Sequence, residues 1–151
     1  MADGKKTIVT NRKARHDYFL SDHVECGIEL TGTEVKSLRQ GKANLQDAFC
    51  TTQGGQMALL NLHIAPYEHG GYANHEPTRP RRLLLHSREI AKFKKATEQK
   101  GFTLVPTKLY FKNGWAKVEV ALGKGKKHYD KRAAIAERDD KRRLDRIKKE
   151  F

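Results

Sequence analysis

Apolar and polar positions alternate over several short stretches of the chain. Val24, Cys26, Ile28 and Leu30 interleave with Glu25, Gly27 and Glu29, which is the period of a half-buried strand with its acids on the solvent face. Thr31-Gly32-Thr33-Glu34 then opens a helix: Thr31 and Glu34 have capping-box spacing, with Thr33 as the competing cap. Val35 and Leu38 point it at the core, Lys36, Arg39 and Lys42 at solvent, and Gly41 stops it. Leu45 to Thr52 and Ala58 to Ile64 predict two strands joined across Gln53-Gly54-Gly55-Gln56.

A long connection from Pro66 to Arg82 follows, with Gly70-Gly71, Pro77 and Pro80 inside it and Arg79, Arg81 and Arg82 at its end. Loops of that length in small domains are commonly functional or disordered. Leu83-Leu84-Leu85 predicts a short buried strand. Ser87 then caps a helix with Glu89 in its first turn, Ile90, Phe93 and Thr97 on one face, and Gly101 as its stop. Leu104 to Lys112 and Trp115 to Leu122 flank Asn113-Gly114, a strong hairpin signal, and Pro106 requires a bulge or an edge in the first of these strands. Short strands with few helices predict a mainly β fold, a closed or partly closed OB-like antiparallel barrel with two to three short helices and a C-terminal tail.

The pattern changes at Gly123. From there to Phe151 the chain carries twelve Lys/Arg against six Asp/Glu, a net +6. Such a segment cannot bury enough apolar surface to offset its ordering entropy, and reads as an arm that folds on a partner. Asp140, Leu144, Ile147 and Phe151 fall at roughly helical spacing and would give a helix one narrow apolar strip. Tyr129 among Lys126, Lys127, His128, Lys131 and Arg132 offers a stacking face ringed by phosphate-binding cations. The expected organisation is therefore a loose basic leader over residues 1–10, a folded domain over 11–122 and a basic tail over 123–151.

Charge narrows the partner. The 151 residues carry a formal +13, and removing the tail's share leaves +7 on residues 1–122, so the folded part is basic in its own right. No apolar run approaches the ~20 residues of a membrane span, the N-terminus has no secretory pattern, and a cytoplasmic protein with no membrane partner is expected. Cys26 and Cys50 lack Cys-x-x-Cys spacing and read as buried, reduced thiols. The seven histidines show no metal-ligand spacing, so no metal or cofactor is expected. Asp139-Asp140 and the histidines are the only candidates for a nuclease, and the aspartates lie in the arm without a rigid scaffold; an enzyme is not expected. Near Asn11, four cationic or potentially cationic side chains, Arg12, Lys13, Arg15 and His16, precede Tyr18-Phe19, a pattern that fits RNA contact or a capped surface turn.

Five blocks in the same order carry a more specific likeness. Asn11-Arg12-Lys13-Ala14-Arg15-His16, Gly32-Thr33-Glu34-Val35-Lys36-Ser37-Leu38-Arg39, Gly41-Lys42-Ala43-Asn44, Arg82-Leu83-Leu84-Leu85 and Gly125-Lys126-Lys127-His128-Tyr129-Asp130-Lys131-Arg132 resemble the bacterial SsrA-binding, or small protein B, family. The resemblance implies an OB-fold body that binds the tRNA-like domain of transfer-messenger RNA and carries it into a ribosome stalled on a broken message. The body would stand in for the missing anticodon arm. The tail would occupy the vacant decoding region and message channel and become helical there. Elongation factor Tu and alanyl-tRNA synthetase would enter indirectly, through the alanine-charged RNA.

Position by position, Asn11, Glu25 and Leu84 match family residues needed for transfer-messenger RNA binding. Arg12, Arg15, His16, Lys36, Arg39 and Arg82 supply the cations of that surface. Leu84, inside a three-leucine run, is expected in the core, acting only by supporting the surface. An outward Glu25 would accept from base amino groups or orient a neighbouring arginine. Asp130, Lys131 and Arg132 match the tail motif needed for tagging after ribosome entry, with Lys126 and Lys127 leading into it. Tyr129 matches a position expected to stack on a small-subunit rRNA base, and Ile147 an apolar position on the tail helix. The competing expectation is a general ribosomal or OB-fold RNA-binding protein without a role in trans-translation.

Overall fold

A computed structural model describes residues 5–71 and 74–126. The elements run β1 (Lys5–Thr10), α1 (Arg12–Asp17), β2 (Tyr18–Ile28), α2 (Gly32–Arg39), β3 (Ala43–Asn44), β4 (Phe49–Gln53), β5 (Gln56–Leu60), β6 (His63–Ile64), β7 (Arg81–Leu84), α3 (Ser87–Lys100), β8 (Thr103–Lys112) and β9 (Trp115–Gly125). Both hairpins form where their dipeptides stand. Asn113 and Gly114 have φ of 52° and 84°, and Gly54 and Gly55 of 59° and 76°. Two positive φ values in a two-residue loop match the right-handed twist of the flanking strands.

Antiparallel pairing follows the order β1-β8-β4-β5-β7-β2-β9, and β9 also returns to β8. The sheet therefore curls round one core without becoming a complete barrel. Its seam, β4 against β8, is a single residue pair, Cys50↔Leu104. Beyond the register shift at Pro106/Lys108, β1 pairs with β8 instead, from Lys108 to Lys112. The bulge that Pro106 required thus falls where β8 changes partner. Met57, Leu59, Leu83, Phe93, Leu104, Val118 and Val120 are buried in the core that the curl encloses. Cys26 and Cys50 are buried, free thiols in the same cluster; burial pushes the Cys26 thiol up to about 12 and holds Cys50 well above its ordinary value.

Several boundaries differ from expectation. The leader expected over residues 1–10 is a strand from Lys5 onward, because Ile8 and Val9 pack against the core and β8 has an edge to pair with. The tail boundary moves too, since β9 runs to Gly125 opposite Tyr18. Gly123 is a close-packed strand position: a Cβ there would stand 2.9 Å from Val105 Cγ2 and 3.0 Å from Tyr18 Cδ1. The strand expected over 45–52 is shortened to β4 from Phe49, after a turn, and the one expected over 58–64 is divided. Asn61, at φ 61°, separates β5 from β6, and β6 pairs with β3 in a small second sheet.

Both longer helices follow their end signals with small shifts. In α2, Thr31 is the cap: its N–H donates to Glu34 Oε1 at 2.8 Å and its hydroxyl accepts from the Glu34 amide at 3.4 Å. The cap of α3 is His86, with Ser87 its first residue, and Ala96 rather than Thr97 completes the buried stripe of Ile90 and Phe93.

Glu34 does more than cap. Its side chain and that of Arg81 are both fully buried. Arg81 Nε donates to Glu34 Oε2 at 2.6 Å, while Arg79 donates from Nη2 to Oε1 at 2.7 Å and from Nε to Oε2 at 3.0 Å. Arg81 also donates to the carbonyls of Leu62 and Pro77. His75 bridges the Thr33 hydroxyl at 2.9 Å and the Ile64 carbonyl at 2.8 Å. The long connection is thus pinned to α2 at its far end. Burial opposes the charged form of Glu34, but hydrogen bonds from Arg79, the Thr31 amide and Arg81 outweigh it and hold the carboxyl below its ordinary value. Removing one member leaves a buried charge uncompensated, which costs about 3–5 kcal/mol.

Glu34→Gln is therefore expected to lower the unfolding free energy by about that amount at neutral pH. Because the folded pKa is depressed, the gap between wild type and variant is full above the ordinary glutamate value of 4.5 and closes as pH falls through the folded value. Urea unfolding of both proteins from pH 7 to pH 3 checks it; a gap constant across that range would contradict it.

Candidate nucleic-acid interface

Asn11 is held inside the fold. It is 4% exposed, and its side-chain amide and backbone N–H are engaged inside the protein. Its Oδ1 accepts from the Ala14 amide at 3.1 Å, capping α1, and its Nδ2 donates to the Pro106 carbonyl at 2.9 Å and the Leu45 carbonyl at 3.3 Å. Its own N–H donates to Thr107 O at 2.8 Å. These bonds tie the start of α1 to the bulge in β8, and Arg12, Lys13, Arg15 and His16 are left exposed around it. Of the two readings of this stretch, the capped turn is what forms, and it displays the cations.

Glu25 lies on the outer face of β2. Tyr110 donates its hydroxyl to Glu25 Oε1 at 2.6 Å, and Lys112 Nζ stands 3.5 Å from the same oxygen. The Tyr110 hydrogen bond is the main reason the Glu25 carboxyl is held below its ordinary value, with Lys112 adding to it against a desolvation penalty. Burial, together with that bond, raises the Tyr110 phenol. Lys5 Nζ lies 4.3 Å from the centre of the Tyr110 ring and Lys108 Nζ 5.8 Å. The partners of Glu25 are a tyrosine and a lysine, not the neighbouring arginine considered from sequence. Tyr110 was missed because its strand shows only that it is apolar.

Leu84 corrects the expectation of a core residue. It is 45% exposed, whereas Leu83 is 1% exposed. In β7 the inward positions are Arg81 and Leu83 and the outward ones Arg82 and Leu84, so the buried Arg81 sets the parity that a run of leucines hides. Leu84 pairs with Gly27 across the β2–β7 ladder, two residues from Glu25 on the same face. Arg82 is exposed and its Nη1 lies 3.8 Å from Glu29 Oε2. Glu25, Arg82 and Leu84 are therefore brought together. Lys36 and Arg39 are exposed on α2, with Lys36 Nζ 5.4 Å from the centre of the Tyr67 ring.

Lys126 is the last described residue. Its N–H donates to Asp17 O at 2.7 Å, and its Nζ lies 3.4 Å from Arg15 O and 4.9 Å from the centre of the exposed Phe19 ring. The tail root is thereby seated against α1. Lys127, Tyr129, Asp130, Lys131, Arg132 and Ile147 lie outside the described residues. Among the described residues no group of three or more His, Cys, Asp or Glu is placed to hold a metal ion, and no helix is long and apolar enough to cross a membrane.

Comparison with known proteins adds to this geometry. The family model described as SmpB protein matches residues 8–150. The chain belongs to the SmpB family. Among curated SmpB relatives, an SsrA-binding protein of Pelotomaculum thermopropionicum is 54% identical over 145 residues, covering 96% of this chain and 95% of that protein. One from Shouchella clausii is 52% identical over 145 residues, with 96% and 93% covered, and one from Desulforudis audaxviator is 54% identical over 142 residues, with 94% and 93% covered. A solved structure described as "tmRNA-SmpB: a journey to the center of the bacterial ribosome" contains a chain 50% identical to this one, with a TM-score of 0.68 and coverage of 91% of this chain and 94% of that one. The mainly β architecture, an antiparallel sheet not closed into a barrel and three helices, is thus an SmpB fold.

Asn11→Ala removes the α1 cap, typically worth about 1 kcal/mol, and takes the 2.9 Å bond from the buried Pro106 carbonyl, worth about 1–3 kcal/mol. A fall of about 2–4 kcal/mol in unfolding free energy is expected, read by urea denaturation; an unchanged midpoint would show that the side chain acts only at the surface.

Proposed function

We propose that the protein is an RNA-binding adaptor of trans-translation, with the role that the family resemblance implies. Its body binds the tRNA-like domain of transfer-messenger RNA and delivers it to the A site of stalled ribosomes, where the body replaces an anticodon arm. The tail from Lys126 onward enters the empty decoding centre and message channel. The RNA's own reading frame is then translated, and the unfinished protein is tagged for degradation. The observation that carries this reading is the shared outer face of Glu25, Arg82 and Leu84 on a basic β body, in a chain whose relatives are named SsrA-binding proteins.

The parts have distinct physical tasks. A basic surface holds structured RNA by shape and phosphates, with stacking at exposed bases. Arg12, Arg15, His16, Lys36 and Arg39 supply exposed phosphate contacts, and Asn11 orients the α1 group. The tail's Lys127, Lys131 and Arg132 meet rRNA phosphates, Tyr129 stacks on an rRNA base, Asp130 completes the motif and Ile147 packs on the apolar side of the tail helix. Elongation factor Tu and alanyl-tRNA synthetase act through the charged RNA, and the site of action is the cytoplasm. No chemistry of its own is assigned to the chain.

Replacing Asp130, Lys131 and Arg132 together by Ala is expected to leave affinity for the tRNA-like domain within about twofold, since the missing side chains would add only screened charge, while abolishing tagging of proteins stalled on truncated messages. A filter-binding titration beside a reconstituted tagging assay reads both. Equal loss of both would favour a general RNA-binding protein over this division of labour.

A further inference from the structure

Trp115 is the only tryptophan in the chain, and it stands on the surface. It is 73% exposed, the first residue of β9 after the Asn113-Gly114 turn. An indole so placed contributes little to the core, which leaves its large apolar face available to a partner. It does not stand alone: Trp115 and the exposed Leu84 line one groove of about 620 Å³ with Leu30, Val35 and Phe111. Gly27 forms part of the lining, and its lack of a side chain keeps the groove open, since a Cβ there would lie 3.3 Å from Leu84 Cβ. The charged members of the lining are Lys117 and Glu29, and Arg82 extends the cationic rim beside Glu29.

We propose that this groove receives one unstacked nucleobase of the bound RNA, stacked on the Trp115 indole and walled by Leu84, with Lys117 and Arg82 meeting the adjoining phosphates. The inference rests on the RNA-binding reading above and adds to it a base-capture site with Trp115 as its stacking platform. The occupant follows from the surroundings. An apolar floor alone would suit a helix of a protein partner, but here the floor opens between Lys117 and the Arg82–Glu29 pair, on a chain of net charge +13, where a polyanion carrying flat apolar faces is the complementary ligand. A continuous duplex keeps its base faces stacked inside and presents phosphates, sugars and groove edges. The groove therefore distinguishes RNA with an extruded base from RNA that offers only a backbone.

The single tryptophan makes the test direct. The full chain is titrated at physiological salt with the tRNA-like domain of transfer-messenger RNA and, separately, with a blunt-ended duplex RNA of equal length. Binding is read by filter retention and the environment of Trp115 by its intrinsic fluorescence. The tRNA-like domain is expected to quench the emission in step with binding, and the duplex to bind without quenching. Trp115→Ala is expected to weaken binding of the tRNA-like domain by between about fivefold and 150-fold, the range of one base–aromatic stack, and to leave duplex binding unchanged. Trp115→Phe should retain most of the affinity. Since the side chain is exposed, an unaltered melting temperature is expected for both variants.

Saturating binding with silent emission, or full affinity in Trp115→Ala, would overturn the base-capture site, leave the adaptor reading intact and mark the groove for a protein partner. Failure of the wild-type chain to bind the tRNA-like domain would overturn the adaptor reading itself, and this inference with it.

Discussion

The carboxylate of Glu34 sits in the interior with the guanidinium groups of Arg79 and Arg81 against it, and much of the outer surface depends on that arrangement. Glu34 belongs to the first turn of α2, whereas the arginines come from the end of the connection that leads into β7. A buried ion pair adds little net stability compared with a well-packed apolar substitute, but losing one partner is costly. The network therefore acts less as a source of stability than as a fixed register. With Arg81 forced inward, the alternation of the strand places Leu83 in the core and turns Arg82 and Leu84 out beside Gly27.

Register is also what sequence pattern conveyed least well. The two-residue hairpins, the helix ends at Gly41 and Gly101 and the Pro106 bulge were legible because each depends on a local backbone requirement met by one or two residues. Leu84 was not, because three consecutive leucines carry no parity; the residue that decides it, Arg81, looks from sequence like another surface cation. Gly123 resembled the start of a flexible segment, although a close approach of Val105 and Tyr18 is what requires glycine there. The strand at Lys5–Thr10 was hidden by its lysines, which lie on an outer edge whose partner is more than ninety-five residues away in sequence. Glu25 and the α1 cations could be named in advance, but the Tyr110 bond to Glu25 and the buried tethers of Asn11 are tertiary and left no local trace.

The same constraints separate two working regions. Glu25, Arg82, Leu84 and Trp115 belong to the outer face shared by β7, β2 and the hairpin end of β9. Lys126, the last described residue, is seated against α1 by the β2–β9 ladder up to Tyr18↔Gly125 and by the Asp17 carbonyl. On the proposed reading, a basic segment rooted at that point can meet a surrounding polyanion without disturbing the face assigned to RNA. The two ends of the proposed task, holding an RNA and entering a channel, are thus assigned to surfaces that do not compete.

The central claim is that RNA discrimination resides in the folded body. Its most direct test is binding of the tRNA-like domain of transfer-messenger RNA, with ordinary tRNA as competitor, across a salt series, for the full chain and for a chain ending at Lys126. At low salt both proteins bind both RNAs through phosphate neutralisation, so only the preference surviving at higher salt is informative. The account predicts that the shortened chain keeps the full chain's preference for the tRNA-like domain while its salt dependence becomes shallower. Loss of that preference on removing the tail would contradict it.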